Sequence, residues 1–130
     1  MKDFEDDIRK YLTERGWDNL RPSDLAKSIM IEGAELLEVF QWDNQLPEEV
    51  RRDEGKMAKI RKELADVMIY CFDMAVTLDI DVASMLSEKL QKVNEKYPTS
   101  TFNKETRAKE PGSEDLYLKI KEEYRREGKN

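Results

Sequence analysis

The sequence predicts an all-α, four-helix-bundle-like fold, and three observations carry that prediction. Apolar residues recur three and four apart over long stretches instead of alternating. Gly and Pro are scarce, 5 and 4 of 130 residues, the sparse usage of a mostly helical chain. Charged residues make up 40% of the chain against 38% hydrophobic. Wide solvated helix faces would then surround a thin core, whose remaining apolar surface is shared between subunits of an oligomer.

The first helix covers about residues 3–15, with Phe4, Ile8, Tyr11 and Leu12 as its apolar stripe, and Gly16 stops it. Residues 17–21 connect to a second helix opened by Pro22 or Ser23, which carries the run IMIEGAELLEVFQW and ends near Trp42. The polar stretch DNQLPEEVRRDEG, with Pro47 and Gly55, reads as a loop or a short surface helix. A third helix is expected over about 56–78. In it Met57, Ile60, Leu64, Val67, Cys71, Ala75 and Leu78 alternate as a bundle seam, with Cys71 a buried thiol. Asp79 or Asp81 caps a fourth helix that ends at Tyr97–Pro98. After a break at Pro111–Gly112, Ser113, Glu114 and Asp115 open a short charged helix that ends near Gly128. The expected organisation is an all-α domain over 1–102 and a charged C-terminal extension over 103–130.

Net charge is −6, which argues against binding to a nucleic-acid polymer or an anionic membrane. There is no run of about 18 apolar residues, and the opening MKDFEDDIRK has no apolar signal stretch. One cysteine in an apolar run points to a reducing compartment, so the expected location is the cytoplasm.

The chemistry resides in two acid pairs, Glu32/Glu35 and Glu63/Asp66, each spaced i, i+3 within an apolar run. Residues three apart share a helix face, so each pair aims two carboxylates at one spot. Acids on a helix are usually its solvated face, but the third helix breaks that expectation. There Asp66, Tyr70, Asp73 and Thr77 fall within a stripe of roughly 60°, widened to roughly 80° by Glu63. Most of the remaining circumference is aliphatic or aromatic, so the stripe faces a cavity, a subunit cleft or a cation. The second helix has a similar stripe of Ser28, Glu32, Glu35 and Glu38. With no histidine in the chain, oxygen-only carboxylates suit Mg²⁺, with Mn²⁺ as a substitute, and disfavour zinc and di-iron chemistry. Such ions bridge phosphates and orient water for attack at phosphorus. Glu38 or Glu35 would take the water's proton, with Asp73 an outer-shell candidate. Asn94 and Lys96 could bind phosphate or base, although a helix C-terminus ending in a lysine is the plainer reading. Trp17 and Trp42 could stack on a base, or belong to the core or an interface.

The ordered set Glu32-Gly-Ala-Glu35, Glu63-Leu-Ala-Asp66, FQW, DVMIY and NEKYP resembles the MazG-like nucleotide pyrophosphohydrolases of the all-α NTP pyrophosphatase superfamily, and their dCTP-pyrophosphatase-like members most. The likeness extends over about residues 14–102. It implies an NTP pyrophosphohydrolase that releases a nucleoside monophosphate and pyrophosphate, with Mg²⁺ held by Glu32, Glu35, Glu63 and Asp66. It also implies substrate contacts by Trp17, Trp42, Tyr70, Asn94 and Lys96, and a homodimer or homotetramer whose subunits complete the pocket. Where such proteins often carry Phe-His before the proline, Leu20 and Arg21 stand here. The reading from another class is a catalytically silent helical oligomerisation or nucleotide-binding regulatory module.

Overall fold

The computed structural model describes residues 1–105 and 113–129, and every regular element among them is an α-helix. The chain forms two compact units, Met1–Ala83 and Ser84–Asn130. The first contains α1 (Lys2–Glu14), α2 (Pro22–Glu38), α3 (Pro47–Arg52) and α4 (Glu54–Thr77). Helix α5 (Val82–Lys96) begins at the end of this unit and continues in the second, which also holds α6 (Ser113–Arg126). No helix of the described residues is long and apolar enough to cross a membrane.

Helix α4 is the backbone of the first unit, with α1, α2 and α3 all packed on it. Ile8 and Leu12 of α1 meet Phe72, Ala75 and Val76 of α4 and the incoming Val82 in one buried cluster. Phe4 sets its ring edge-on to Phe72, with centroids 5.0 Å apart.

Backbone chemistry at the helix ends sets the path of the chain beyond them. After α1, Gly16 turns to φ +66°; its N–H donates to Thr13 O, and Trp17 N–H donates back to Leu12 O at 2.9 Å. This is the glycine-terminated Schellman arrangement, in which the residue after the glycine folds back onto the last turn. Trp17 accordingly lies edge-on to Tyr11 at 5.9 Å. The same pattern ends α4, with Asp79 at φ +53° and Ile80 N–H donating to Ala75 O at 2.8 Å. Aspartate tolerates this left-handed conformation better than most residues, and Arg9 pairs with its carboxylate at 3.2 Å.

Three expectations are corrected. Helix α2 stops at Glu38, short of Trp42, and residues 39–42 continue as turns, with Phe40 N–H donating to Leu37 O and Gln41 N–H to Glu38 O. The cause is tertiary. Lys56 draws in the segment after α2: it pairs with Asp43, donates to Gln45 at 2.9 Å and lies 4.9 Å above the Phe40 ring. Helix α4 starts two residues early, at Glu54, because Asp53 caps it by accepting the Lys56 N–H at 2.9 Å. Cys71 is exposed, as are Leu64 and Leu78, so the predicted seam is only in part the packed face. Burial in α4 keeps Ala75 of that seam and otherwise falls one position over, on Phe72 and Val76. The polar stretch from residue 43 contains a short helix, α3, whose Glu49 carboxylate accepts the Leu46 N–H at 2.8 Å.

In the second unit, Tyr97 stacks on Tyr117 at 4.8 Å and 22°, and Lys96 Nζ sits 4.7 Å above Tyr124. The charged helix expected after residue 112 is α6. The predicted break at Pro111–Gly112 lies outside the described residues.

Candidate active site

Because α2 and α4 pack lengthwise, their acids meet. One carboxylate oxygen each from Glu32, Glu63 and Asp66 lies within 4.8 Å of the others. Each of these residues is half-buried. Glu35 lies one turn along α2 from Glu32 and is more exposed. Its carboxyl is pushed above the ordinary 4.5, first by the charge of Glu32, then by desolvation and by Glu63. Lys62 partly offsets that repulsion: its Nζ lies 2.9 Å from Glu63 Oε1 and 3.5 Å from Asp66 Oδ2. The lysine is held above its own ordinary value, chiefly by the hydrogen bond to Glu63.

Glu63 keeps its other oxygen, Oε2, buried without a hydrogen-bond partner. A buried acceptor with nothing to accept is costly. An oxygen-only donor set, an orphaned carboxylate oxygen and mutual repulsion at Glu35 together suit a hard divalent cation. Glu38 is exposed at the last position of α2, outside the three-carboxylate cluster.

Beside this cluster the first unit holds a pocket of about 450 Å³, lined by Tyr11, Trp17, Ser28, Asp66, Tyr70 and Asp73 among others. Its size is in the range of small-molecule sites. Two aromatic residues singled out from the sequence, Trp17 and Tyr70, therefore share a wall with the metal-ligand candidate Asp66. Trp42 does not line the pocket; it stands 89% exposed in the turns after α2. Asn94 and Lys96 lie on α5 in the second unit, where Lys96 lines a separate pocket with Lys89, Lys92, Lys121 and Arg125. Sequence reasoning passed over Tyr11 and Lys62 as site residues. The signals were there: Tyr11 is in the α1 stripe, and Lys62 stands four residues before Asp66.

Asp73 is 4% exposed, and burial pushes its carboxyl above the ordinary 3.8. For an acid raised in the folded state, the buried carboxylate costs stability above the folded value. That cost vanishes below the unfolded value, where both states are protonated. Asp73→Asn is therefore expected to stabilise the protein at pH 7 by about 1 kcal/mol, with the gain shrinking towards pH 4. Urea melts across that range would show it, and a destabilised variant at pH 7 would contradict the account.

The fold and site define a class: an all-α protein that presents carboxylates from two packed helices beside an aromatic pocket. The chain belongs to the MazG-like family, whose pattern it matches over residues 27–110. It is 28% identical over 99 residues to dCTP pyrophosphatase 1 of Rattus norvegicus, and equally to that of Homo sapiens, covering 72% of this chain. The chain spans only 58% of the length of these two relatives. A crystal structure of a pyrophosphatase from Archaeoglobus fulgidus superposes with a TM-score of 0.66 at 36% identity, over 75% of this chain and 92% of that one.

Proposed function

We propose that this protein is a nucleoside triphosphate pyrophosphohydrolase that depends on Mg²⁺, or Mn²⁺ in its place. It would split (d)NTPs into a monophosphate and pyrophosphate and so clear unwanted nucleotides from the pool. The observation that carries this reading is the convergence of Glu32, Glu63 and Asp66 beside a pocket walled by Trp17 and Tyr70. Similarity to dCTP pyrophosphatase 1 supports the same chemistry.

In this reading Glu32, Glu35, Glu63 and Asp66 hold the cation. A divalent ion bound there supplies phosphate charge neutralisation and Lewis-acid activation. Glu35, whose proton affinity is already raised by its neighbours, is placed to take the proton of the attacking water, with Glu38 one turn on as the other candidate. Trp17 and Tyr70 hold the base and sugar. The resemblance names Trp42, Asn94 and Lys96 as further substrate contacts, with Lys96 a point charge for phosphate. The pyrophosphohydrolase domain is assigned to residues 1–102, and 103–130 to an extension.

Assembly as a homodimer or homotetramer is part of the proposal. Met30, Ile31 and Leu37 of α2 and Met68 of α4 are all more than half exposed, an apolar surface that a second copy would cover. A reducing, cytoplasmic setting suits an accessible lone thiol at Cys71.

The direct test is a product assay across NTPs and dNTPs, with Mg²⁺ and with EDTA. Monophosphate plus pyrophosphate, formed only with metal, is the expected result. Diphosphate plus orthophosphate would mean a different enzyme, and no product with any nucleotide would leave the silent binding module. Trp17→Ala is expected to raise KM about tenfold with little change in kcat, since base stacking on an aromatic contributes about 1–3 kcal/mol of binding. An unchanged KM would remove Trp17 from the base site.

A further inference from the structure

Three buried side-chain oxygens among the described residues lack a hydrogen-bond partner: Glu63 Oε2, Asp73 Oδ1 and Thr77 Oγ1. The first belongs to the carboxylate cluster, and the proposed hydrolysis leaves the other two unexplained. Buried polar atoms are overwhelmingly paired, so an exception marks a place where a ligand, a water or strain completes the bonding. Asp73 is the more telling of the two, because it lines the aromatic pocket and is almost wholly enclosed.

Position on α4 decides what it could meet. Asp73 lies seven residues after Asp66, two helical turns or ~10.5 Å along the axis and on the same face. That is too far to share a cation with Asp66, yet both residues line one pocket. With phosphates held at the Asp66 end, a nucleotide extended along this face brings the outer edge of its base towards Asp73, between Tyr11, Trp17 and Tyr70.

We infer that Asp73 reads the nucleobase, with Oδ1 accepting a hydrogen bond from an exocyclic amino group, so that amino bases are taken in preference to their oxo counterparts. Cytosine would be favoured over uracil, and adenine over hypoxanthine. This deepens the pyrophosphohydrolase reading and rests on it. An acceptor oxygen facing an N–H forms a bond, whereas facing a carbonyl it is left desolvated against another oxygen. Rejection of the wrong base thus comes from the same atom as attraction of the right one. Burial also favours the protonated carboxyl, whose O–H can donate to the ring nitrogen beside the amino group in both cytosine and adenine.

The test compares kcat/KM for dCTP against dUTP and for dATP against dITP, in the full chain and in Asp73→Leu, a substitution of similar volume that removes the acceptor. Binding of dCMP and dUMP in EDTA, followed by calorimetry, gives a readout independent of turnover. The wild type is expected to prefer the amino member of each pair by about tenfold or more. In Asp73→Leu both ratios should collapse to near one, in turnover and in binding, mainly through loss of the amino substrate. A wild-type ratio near one, or a preference that survives in Asp73→Leu, would overturn the inference. If no nucleotide is hydrolysed but dCMP still outbinds dUMP through Asp73, the hydrolase reading fails and the base contact stands. If no nucleotide is hydrolysed and neither monophosphate binds, both fail.

Discussion

Asp66→Asn is expected to lower kcat/KM for pyrophosphate release about a hundred- to a thousandfold, with the fold intact. The amide keeps the shape of the side chain but removes one anionic oxygen from a cluster in which three carboxylates come within 4.8 Å. Losing a group that stabilises charge developing in the transition state has effects of that order, about 10²–10³. The fold should not suffer, because the Asp66 side chain is 38% exposed and Lys62 retains its closer partner Glu63. Deleting one of several crowded like charges also relieves repulsion within the cluster. Steady-state kinetics and a urea melt on the same preparation would separate the two effects. Near-normal turnover in a folded variant would show that Asp66 lies outside the chemistry.

Phe72→Ala should do the reverse, costing about 3–4 kcal/mol of stability while leaving the Michaelis parameters close to normal at low temperature. Phe72 joins α4 to Ile8, Leu12, Ala75, Val76 and Val82 and receives the edge of Phe4. Few side chains in the first unit are as buried, so the cavity has few neighbours to collapse into it. Total stabilities of single domains are about 5–15 kcal/mol, and the loss is a large share of any such figure. Phe72 lines neither the pocket nor the carboxylate cluster. Thermal melts should drop by roughly 10 °C or more; a shift of a degree or two would mean that the core is held elsewhere.

The two outcomes differ because neighbouring positions of one helix serve different surroundings, and this limits what a sequence reveals. Helical spacing was enough to foresee that Glu32 would face Glu63 and Asp66, since i, i+3 pairs in apolar runs leave few other ways to pack. It was also enough to place Gly16 at a helix end. It failed at Cys71, because periodicity tells which residues are apolar and not which of them a neighbour covers. The end of α2 was hidden for a related reason. Nothing local distinguishes Val39–Trp42 from more helix; the tie to Lys56, fourteen residues beyond Trp42, is a tertiary contact. The enclosure of Asp73 was legible in the narrow polar stripe it shares with Asp66, Tyr70 and Thr77, but the elements that enclose it, α1 and α2 packed against α4, were not.

Lys62 gives the carboxylate cluster a built-in counter-ion, so that the cation proposed for it would arrive by displacement. An ammonium already occupies one side of Glu63 and Asp66, on a flexible stem that is 64% exposed. In the proposed function, loading the site would resemble ion exchange more than filling an empty cup, a tethered single charge giving way to a free double one. The protein is thereby spared bare carboxylate repulsion, and its grip on such a cation would be weakened by however tightly the lysine holds on. Removing that competitor, as in Lys62→Met, would trade resting stability for tighter metal.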